Sequence, residues 1–180
     1  MSEVLRLTLV SHAMTDAMAA GRFPADEPLS DIGRWQLSAL EMRSGTTQLV
    51  GPELRARQTA ELMGLRAVTD RRLADLDFGC WRGRTLEDVS PTELTAWLND
   101  PAVAPHGGES IADLVGRVAG WLESLTGNAA PTVAVTHPAV IRAAILVALD
   151  AAPKSFWRID IAPAGRTVMH WRGGRWTVRL

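Results

Sequence analysis

Two histidines each follow a short apolar stretch of the sequence, and this placement makes them candidates for chemistry. His12 follows residues 4–10, His137 follows residues 131–136, and Arg55 lies near the start of a helix-like segment between them. Imidazole can accept a phosphoryl group directly, and a cationic or hydrogen-bonding group opposite it can hold the equatorial oxygens. A single histidine at a strand end is usually a structural group, but the three residues together indicate phosphoryl chemistry.

The elements that must position these residues alternate along the chain. Both apolar stretches are predicted to be buried strands, with further strands at residues 46–50, 157–161, 167–171 and 176–180 and a hairpin at Gly173-Gly174. Helices are predicted at residues 30–43, 51–64, 91–98, 110–125 and 138–149, and Ser30, Ser90 and Ser110 are the expected caps of three of them. The pattern predicts a single α/β domain over residues 1–180 with a mostly parallel sheet. Ligands bind at the carboxyl ends of such strands, so we expect His12 and His137 there.

Composition excludes several other classes of protein. The net charge of −1 over 180 residues is not that of a dedicated nucleic-acid binder, and no apolar run is long enough to predict a membrane span. The single cysteine, Cys80, excludes a disulfide framework and a cysteine-based zinc site. The sequence has no P-loop, dinucleotide-binding glycine motif, serine-hydrolase elbow or His-x-x-x-His pair, so neither a cofactor nor a metal is expected. Residues 1–10 do not resemble a signal peptide, and we predict a cytoplasmic protein.

Several segments, in order along the chain, resemble the histidine phosphatase (phosphoglycerate mutase-like) superfamily. Residues 9–15, Leu-Val-Ser-His-Ala-Met-Thr, are similar to the family motif Leu-Val-Arg-His-Gly-x-Thr, and residues 55–60 are similar to its Arg-Ala-x-Gln-Thr-Ala helix. Residues 29–33, 73–83, 107–110 and 133–142 match further motifs. The resemblance implies a three-layer sandwich of the phosphoglycerate mutase type.

The resemblance also implies roles for individual residues. His12 would be the nucleophile that forms a phosphohistidine, His137 would bind and polarise the phosphoryl group, and Arg55 would clamp its oxygens. Asp75 occupies the position of the family's glutamate, which protonates the leaving oxygen, and Asp77 is the alternative general acid; either needs a raised pKa. The remaining residues expected to contact phosphate or substrate are Ser11, Thr15, Arg22, Trp81, Arg82 and Ala139.

Three positions depart from the family pattern, and each departure weakens phosphate binding. Ser11 replaces an arginine, Ala13 replaces a glycine, and Pro138 replaces a glycine whose N–H could face the phosphate. A lost charge-assisted hydrogen bond is worth ~1.5–3 kcal/mol. Either another arginine (Arg22, Arg82 or Arg84) reaches the site, or the chain has kept the pocket and lost fast catalysis. Arg142 is expected to lie inside the helix after His137 and to be structural.

The prediction is a metal-independent hydrolase of a small phosphorylated metabolite, acting as a monomer or homodimer without nucleic-acid or membrane partners. A phosphatase is favoured over a mutase, because a mutase must shield its intermediate from water and this chain lacks room for the lid segments. The alternatives are an inactive module that binds phosphate esters, a phosphoglycerate mutase, and an α-ribazole phosphatase, to which residues 77–83 are similar.

Overall fold

The computed structural model describes residues 4–128 and 130–179, which fold around one six-stranded sheet. The strands are β1 (Leu5–Ser11), β2 (Thr47–Val50), β3 (Val68–Thr69), β4 (Thr132–Thr136), β5 (Arg166–Arg172) and β6 (Arg175–Arg179). Their order is β3-β2-β4-β1-β5-β6. The first four in this order run parallel, and β5 and β6 form an antiparallel hairpin at one edge. The predicted α/β fold with a mostly parallel sheet is confirmed.

Helices cover both faces of the sheet. They are α1 (Asp16–Ala19), α2 (Asp31–Trp35), α3 (Leu54–Leu62), α4 (Pro91–Asn99), α5 (Ile111–Leu125) and α6 (Pro138–Ala148). Side chains alternate along β1, so that Leu7 and Leu9 pack with α5 and α6, whereas Val10 packs with α3 on the opposite face. Both faces of the central strands are therefore buried, as in a three-layer sandwich.

Serine hydroxyls start three of the helices as the sequence predicted. Ser30, Ser90 and Ser110 cap α2, α4 and α5, each accepting a hydrogen bond from the backbone N–H three residues later. Helix α3 is shorter than predicted. It begins at Leu54, after the turn at Pro52, and Gly64 follows its end with a φ of +77°.

The helix predicted over residues 30–43 is wrong beyond Trp35. Helix α2 has only five residues, and the chain then leaves helical geometry so that the N–H of Leu40 donates to the carbonyl of Met63 at 3.0 Å. Leu37 and Leu40 pack against the core beneath α3 from this irregular segment. Trp35, the last residue of α2, is 84% exposed. Tertiary contacts with α3 therefore outweigh the local helical pattern.

The strand predicted over residues 157–161 is also wrong, because a 3₁₀ helix (Pro153–Arg158) includes its first two residues and residues 159–161 are irregular. Phe156 points into the core, and the carbonyl of Ile159 accepts a hydrogen bond from Arg142 Nε of α6 at 2.7 Å rather than from a neighbouring strand. The hairpin at Gly173-Gly174 is present, with β6 ending at Arg179; residue 180 of the predicted strand lies outside the described residues. None of the described helices is long and apolar enough to cross a bilayer.

Candidate active site

The structure brings the two strand-ending histidines into contact. Strands β1 and β4 are parallel neighbours with Ser11 opposite Thr136, and the next residue in each strand direction is a histidine. The backbone N–H of His12 donates to the carbonyl of Thr136 at 2.9 Å, and the ring centroids of His12 and His137 lie 5.2 Å apart. Both rings are almost fully buried. The carboxyl edge of the sheet therefore holds an imidazole pair.

The His12 ring is held in the tautomer that a nucleophile needs. Its Nδ1 lies 2.8 Å from the carbonyl oxygen of Ala13, which can only accept, so Nδ1 carries the hydrogen and Nε2 has a free lone pair. Burial lowers the pKa of His12 to about 3, and the positive charges of His137 and Arg55 add to this effect. The hydrogen bond to Ala13 and the Asp75 carboxylate oppose it only in part. The imidazole is therefore neutral at physiological pH.

Side chains from the other matched segments hold the loop that follows His12. The Thr59 hydroxyl accepts a hydrogen bond from the N–H of Ala13 at 3.0 Å and donates to the carbonyl of Arg55 at 2.8 Å. The Ser30 hydroxyl donates to the carbonyl of Met14 at 3.1 Å. The loop is thus tied to both α2 and α3, which keeps the His12 ring fixed relative to Arg55.

Arg55 is a fully buried arginine at the start of α3, and it faces the histidine pair. Its NH1 donates to the carbonyl of Ala25 at 2.7 Å, and its NH2 forms a 2.5 Å ion pair with Asp75. Its Nε is buried and has no hydrogen-bond partner among the described residues. Unpaired buried donors are rare in folded proteins, so this N–H is available to an oxygen of a bound anion.

Asp75 is buried beside both Arg55 and His137, and its acidity is the opposite of what a general acid requires. Burial works to raise its pKa, but the charges of His137 and Arg55 outweigh that effect and leave the pKa of Asp75 lowered. Its Oδ2 lies 3.5 Å from His137 Nδ1. The expectation of a raised pKa is therefore not met in the free protein, where Asp75 is an ionised partner of the arginine.

Glu53 is a site residue that the sequence reasoning missed. His137 Nε2 donates to Glu53 Oε2 at 2.6 Å, and the N–H of Asp75 donates to the other carboxylate oxygen at 3.0 Å. A Cβ at Gly51 would lie 3.1 Å from His137 Nε2 and 2.7 Å from the carbonyl oxygen of Leu73, so glycine leaves the space for this pair. With Nε2 bound to Glu53, His137 Nδ1 is buried without a partner among the described residues. Glu53 lies just beyond the end of β2, at the same sheet edge as the histidines, which is the signal that could have identified it.

We expect Glu53→Gln to weaken both stability and activity. Although burial opposes ionisation, the hydrogen bond and the charge of His137 lower the pKa of Glu53 below its ordinary 4.5. Because a lowered carboxyl pKa stabilises the fold only above the unfolded value, the advantage of Glu53 over glutamine is present above pH 4.5 and disappears as the pH falls below it. The expected loss near pH 7 is about 1–3 kcal/mol of unfolding free energy.

Urea unfolding of both proteins at several pH values between roughly 3 and 7 measures this difference. Glu61→Gln on the exposed side of α3 is the matched control and should show no pH-dependent difference. A constant difference between Glu53→Gln and the wild type at every pH would contradict the assignment of an ionised Glu53 paired with His137.

The site opens into a cavity of about 160 Å³ that His12, Arg55 and Asp75 line together. Ala139 and Arg142 of α6 line the same cavity. The sequence predicted the first of these two, whereas Arg142 was assigned a structural role inside the helix. The two residues are three apart on α6 and so share a helix face, which is the signal that would have found Arg142. A second cavity, of about 200 Å³, adjoins the first and shares Arg55 and Asp75.

Other residues expected at the site lie elsewhere or have other partners. Ser11 is fully buried and lines neither cavity, and the Thr15 hydroxyl caps α1 and donates to Glu27. Trp81 is buried in a cluster of aromatic rings and lines neither cavity, in contrast to the expected substrate contact. The last group lies around the site: Asp77 and Arg82 line the 200 Å³ cavity, and Arg22 is an exposed residue whose NH1 donates to the carbonyl of Gly83.

Within residues 4–128 and 130–179, no group of three or more histidine, cysteine, aspartate or glutamate side chains is arranged to hold a metal ion. The polar groups that converge on His12 are instead hydrogen-bond donors and carboxylates. Donors without partners suit an anion, since each gains a hydrogen bond only when an acceptor enters.

The sheet edge holds a neutral buried imidazole, a second histidine and a buried arginine, and these are groups whose chemistry suits phosphoryl transfer. The chain matches the histidine phosphatase superfamily (branch 1) over residues 7–180, and it belongs to that superfamily. The prediction of an enzyme of the phosphatase class is likewise confirmed.

Individual relatives are similar over most of the chain. Phosphoserine phosphatase 1 of Hydrogenobacter thermophilus is 28% identical over 183 residues, covering 93% of this chain and 87% of that protein. A glucosyl-3-phosphoglycerate phosphatase of Mycolicibacterium vanbaalenii is 33% identical over 178 residues, covering 87% and 79%. The solved structure of a mycobacterial glucosyl-3-phosphoglycerate phosphatase shares the fold, with a TM-score of 0.79, 24% identity and 97% coverage of both chains. Some curated relatives are longer, and the chain spans 53% of their length.

Proposed function

We propose that the protein hydrolyses a small phosphomonoester through a phosphohistidine on His12, without a metal ion. The observation that carries the proposal is the set of buried groups around one cavity. His12 presents an unprotonated Nε2 and lines this cavity together with Arg55, whose Nε is buried and lacks a hydrogen-bond partner among the described residues. A phosphoryl group in this cavity would accept a hydrogen bond from Arg55 Nε and meet the nucleophile. The His137 ring packs against His12 but lines neither of the two cavities.

The reaction divides into two displacements at phosphorus. In the first, His12 Nε2 attacks phosphorus, the bond from phosphorus to the ester oxygen breaks, and the leaving oxygen takes a proton from a carboxylic acid. In the second, water attacks the phosphohistidine, the carboxylate takes a proton from this water, and the bond from phosphorus to nitrogen breaks. Inorganic phosphate leaves, and both protein groups return to their starting states.

Asp75 is the proposed acid, with Asp77 as the alternative, and substrate binding changes the acidity of Asp75. In the free protein the charges of His137 and Arg55 outweigh burial and lower the pKa of Asp75. A bound phosphate group would engage Arg55 and place negative charge beside the buried carboxylate. Both changes raise the pKa of Asp75, which is the direction that proton donation requires.

Two features support the finer parts of the proposal. The curated relatives described above are both named as phosphatases, which favours hydrolysis over a mutase reaction. Cys80, the single cysteine, leaves the redox compartment unconstrained, and a reducing cytoplasm is the simplest assignment. We propose a small phosphorylated substrate as the ligand, and a monomer or homodimer that needs neither nucleic acid nor membrane.

Trapping of the phosphoenzyme tests the proposal directly. The protein is mixed with p-nitrophenyl phosphate in the presence of a chelator, quenched within milliseconds, and analysed for phosphate on His12. We expect turnover with the chelator present, and a phosphorylated His12 that survives base and is lost in acid. His170→Asn, a change in the β5–β6 hairpin, is the control that should keep both properties.

A different result would favour the non-catalytic alternative. A wild-type protein that hydrolyses neither aryl, alkyl nor sugar phosphates, yet unfolds at a higher temperature with inorganic phosphate, would be a phosphate-ester binding module. Turnover that disappears with the chelator would instead contradict the metal-independent mechanism.

A further inference from the structure

The site adjoins a larger cavity with a different character. This cavity has a volume of about 590 Å³, within the usual range for small-molecule pockets, and it shares Pro24, Phe78, Ala139 and Arg142 with the cavity that His12 lines. Because four residues border both spaces, a molecule whose phosphate lies at His12 can extend past them into the larger cavity. We call this space the apolar cavity.

The walls of the apolar cavity are hydrocarbon and aromatic rings. Leu94, Trp97, Phe156 and Trp157 contribute to it, and the rings of Trp97 and Trp157 meet edge to face with centroids 4.6 Å apart. Only Arg22 and Arg142 among its lining residues carry a charge, and no carboxylate or amide side chain lines it. Arg142 is held at the junction by its Nε bond to Ile159 and by the ring of Phe156, 5.6 Å from its guanidinium carbon.

Three exposed apolar side chains also line this cavity. Leu86, Leu98 and Trp157 are 53%, 45% and 37% exposed, and all three line it. Isolated exposed leucines need no explanation, but several around one cavity beside a reactive group mark a binding surface. The chemistry of the site indicates the occupant, because in-line attack by His12 places the alcohol that leaves phosphorus on the far side of the phosphate.

On the basis of the proposed function, we propose that the substrate is a phosphomonoester of an apolar alcohol, with an alkyl chain or ring system that fills the apolar cavity. A polar alcohol such as serine or a sugar would leave its hydroxyl, ammonium or carboxylate groups against hydrocarbon walls that offer few partners. An apolar alcohol loses no hydrogen bonds and gains from each methylene removed from water. The phosphatase is therefore selective for the apolar part of its substrate.

A series of straight-chain alkyl phosphates from ethyl to octyl tests this proposal. The ester bond is chemically equivalent across the series, so differences in kcat/KM report binding of the chain. We expect kcat/KM to rise about three- to fourfold for each added methylene until the cavity is full. We also expect hexyl phosphate to exceed phosphoserine and glycerol phosphate, which present polar groups to the same walls.

Variants at the rim of the apolar cavity distinguish binding of the alkyl chain by its walls from effects on the whole protein. Leu98→Gln is expected to flatten the dependence of kcat/KM on chain length. Leu149→Gln, an exposed leucine outside the cavity, is the matched control and should keep the wild-type slope. If kcat/KM of the wild type did not depend on chain length, or if phosphoserine were preferred, the proposal of an apolar substrate would be overturned. Turnover of ethyl phosphate would still support the hydrolase in that case.

Measurements of equilibrium binding show which of the two proposals fails, hydrolysis by the protein or binding of the substrate in the apolar cavity. Alkyl phosphonates cannot be hydrolysed, and their affinities can be measured by calorimetry even if turnover is absent. Affinity that rises with chain length in a protein without turnover would support the apolar cavity and refute the hydrolase. Affinity that is independent of chain length would refute the apolar cavity whatever the turnover.

Discussion

Replacement of His12 with asparagine is expected to lower kcat/KM for an aryl phosphate by at least roughly a thousandfold, because the attacking nitrogen is removed. Asparagine is the informative choice. Its amide N–H can occupy the place of Nδ1 and donate to the carbonyl of Ala13, whereas nothing replaces Nε2. Steady-state kinetics measure the loss, and thermal unfolding at pH 7 should show that the fold persists.

The same variant should behave differently from the wild type in acid. Burial is the main cause that lowers the pKa of His12 to about 3 from the ordinary 6.5, so the unfolded chain binds a proton that the folded chain does not. Below pH 6.5 the wild type therefore loses stability as the pH falls, and the loss continues until the pH reaches about 3. His12→Asn lacks this contribution, so it should gain stability relative to the wild type from pH 7 down to about 4.

Two results would contradict the role of His12. Activity above roughly a tenth of the wild-type value would mean that another group attacks phosphorus, and His137 would be the next candidate. If the difference in unfolding free energy between the wild type and His12→Asn stayed constant across this pH range, His12 would not be buried in its neutral form. His170→Asn again provides the control for activity, because that residue lies in the β5–β6 hairpin.

Replacement of Arg55 with alanine is expected to affect stability and activity together. The side chain is 1% exposed and forms a buried ion pair with Asp75, so its removal leaves a carboxylate without its partner inside the protein. Loss of one member of such a pair costs about 3–5 kcal/mol of unfolding free energy. The phosphate clamp is lost as well, with an expected fall in kcat/KM of about a hundredfold or more.

A second substitution separates the two effects of Arg55. Adding Asp75→Asn to Arg55→Ala removes the uncompensated charge, so urea unfolding should recover part of the lost stability while activity stays low. Arg57→Ala, on the exposed side of α3, is the matched control and should behave as the wild type. If the double variant were no more stable than Arg55→Ala, the carboxylate of Asp75 would not be the cause of the loss.

The parts of the molecule that the sequence predicted are those in which local signals agree with the tertiary structure. The capping serines, the strands at the core and the parallel sheet all follow from patterns of residue type and spacing. The contact between His12 and His137 followed from one rule, because parallel strands place their carboxyl ends at the same edge. Arg55 followed from its position in a recognisable helix motif.

The parts that could not be predicted depend on contacts between distant segments. Leu40 is not helical, and its N–H donates a hydrogen bond to the carbonyl of Met63. The carbonyl of Ile159 accepts a hydrogen bond from Arg142 rather than from a neighbouring strand. Neither partner can be identified from spacing within a short window. The pKa of Asp75 also depends on distant residues. The charge of Arg55, 20 positions earlier in the chain, lowers this pKa together with the charge of His137.

The position of β4 in the sheet has a consequence for how the protein is made. This strand contributes His137 and lies between β1 and β2, although most of the chain is synthesised before it. Until Thr132–Thr136 leaves the ribosome, β1 and β2 have no neighbour in common and their inner edges are open. The centre of the sheet therefore closes late and through contacts between distant segments, which slows folding and extends the time during which chaperones can bind the nascent chain.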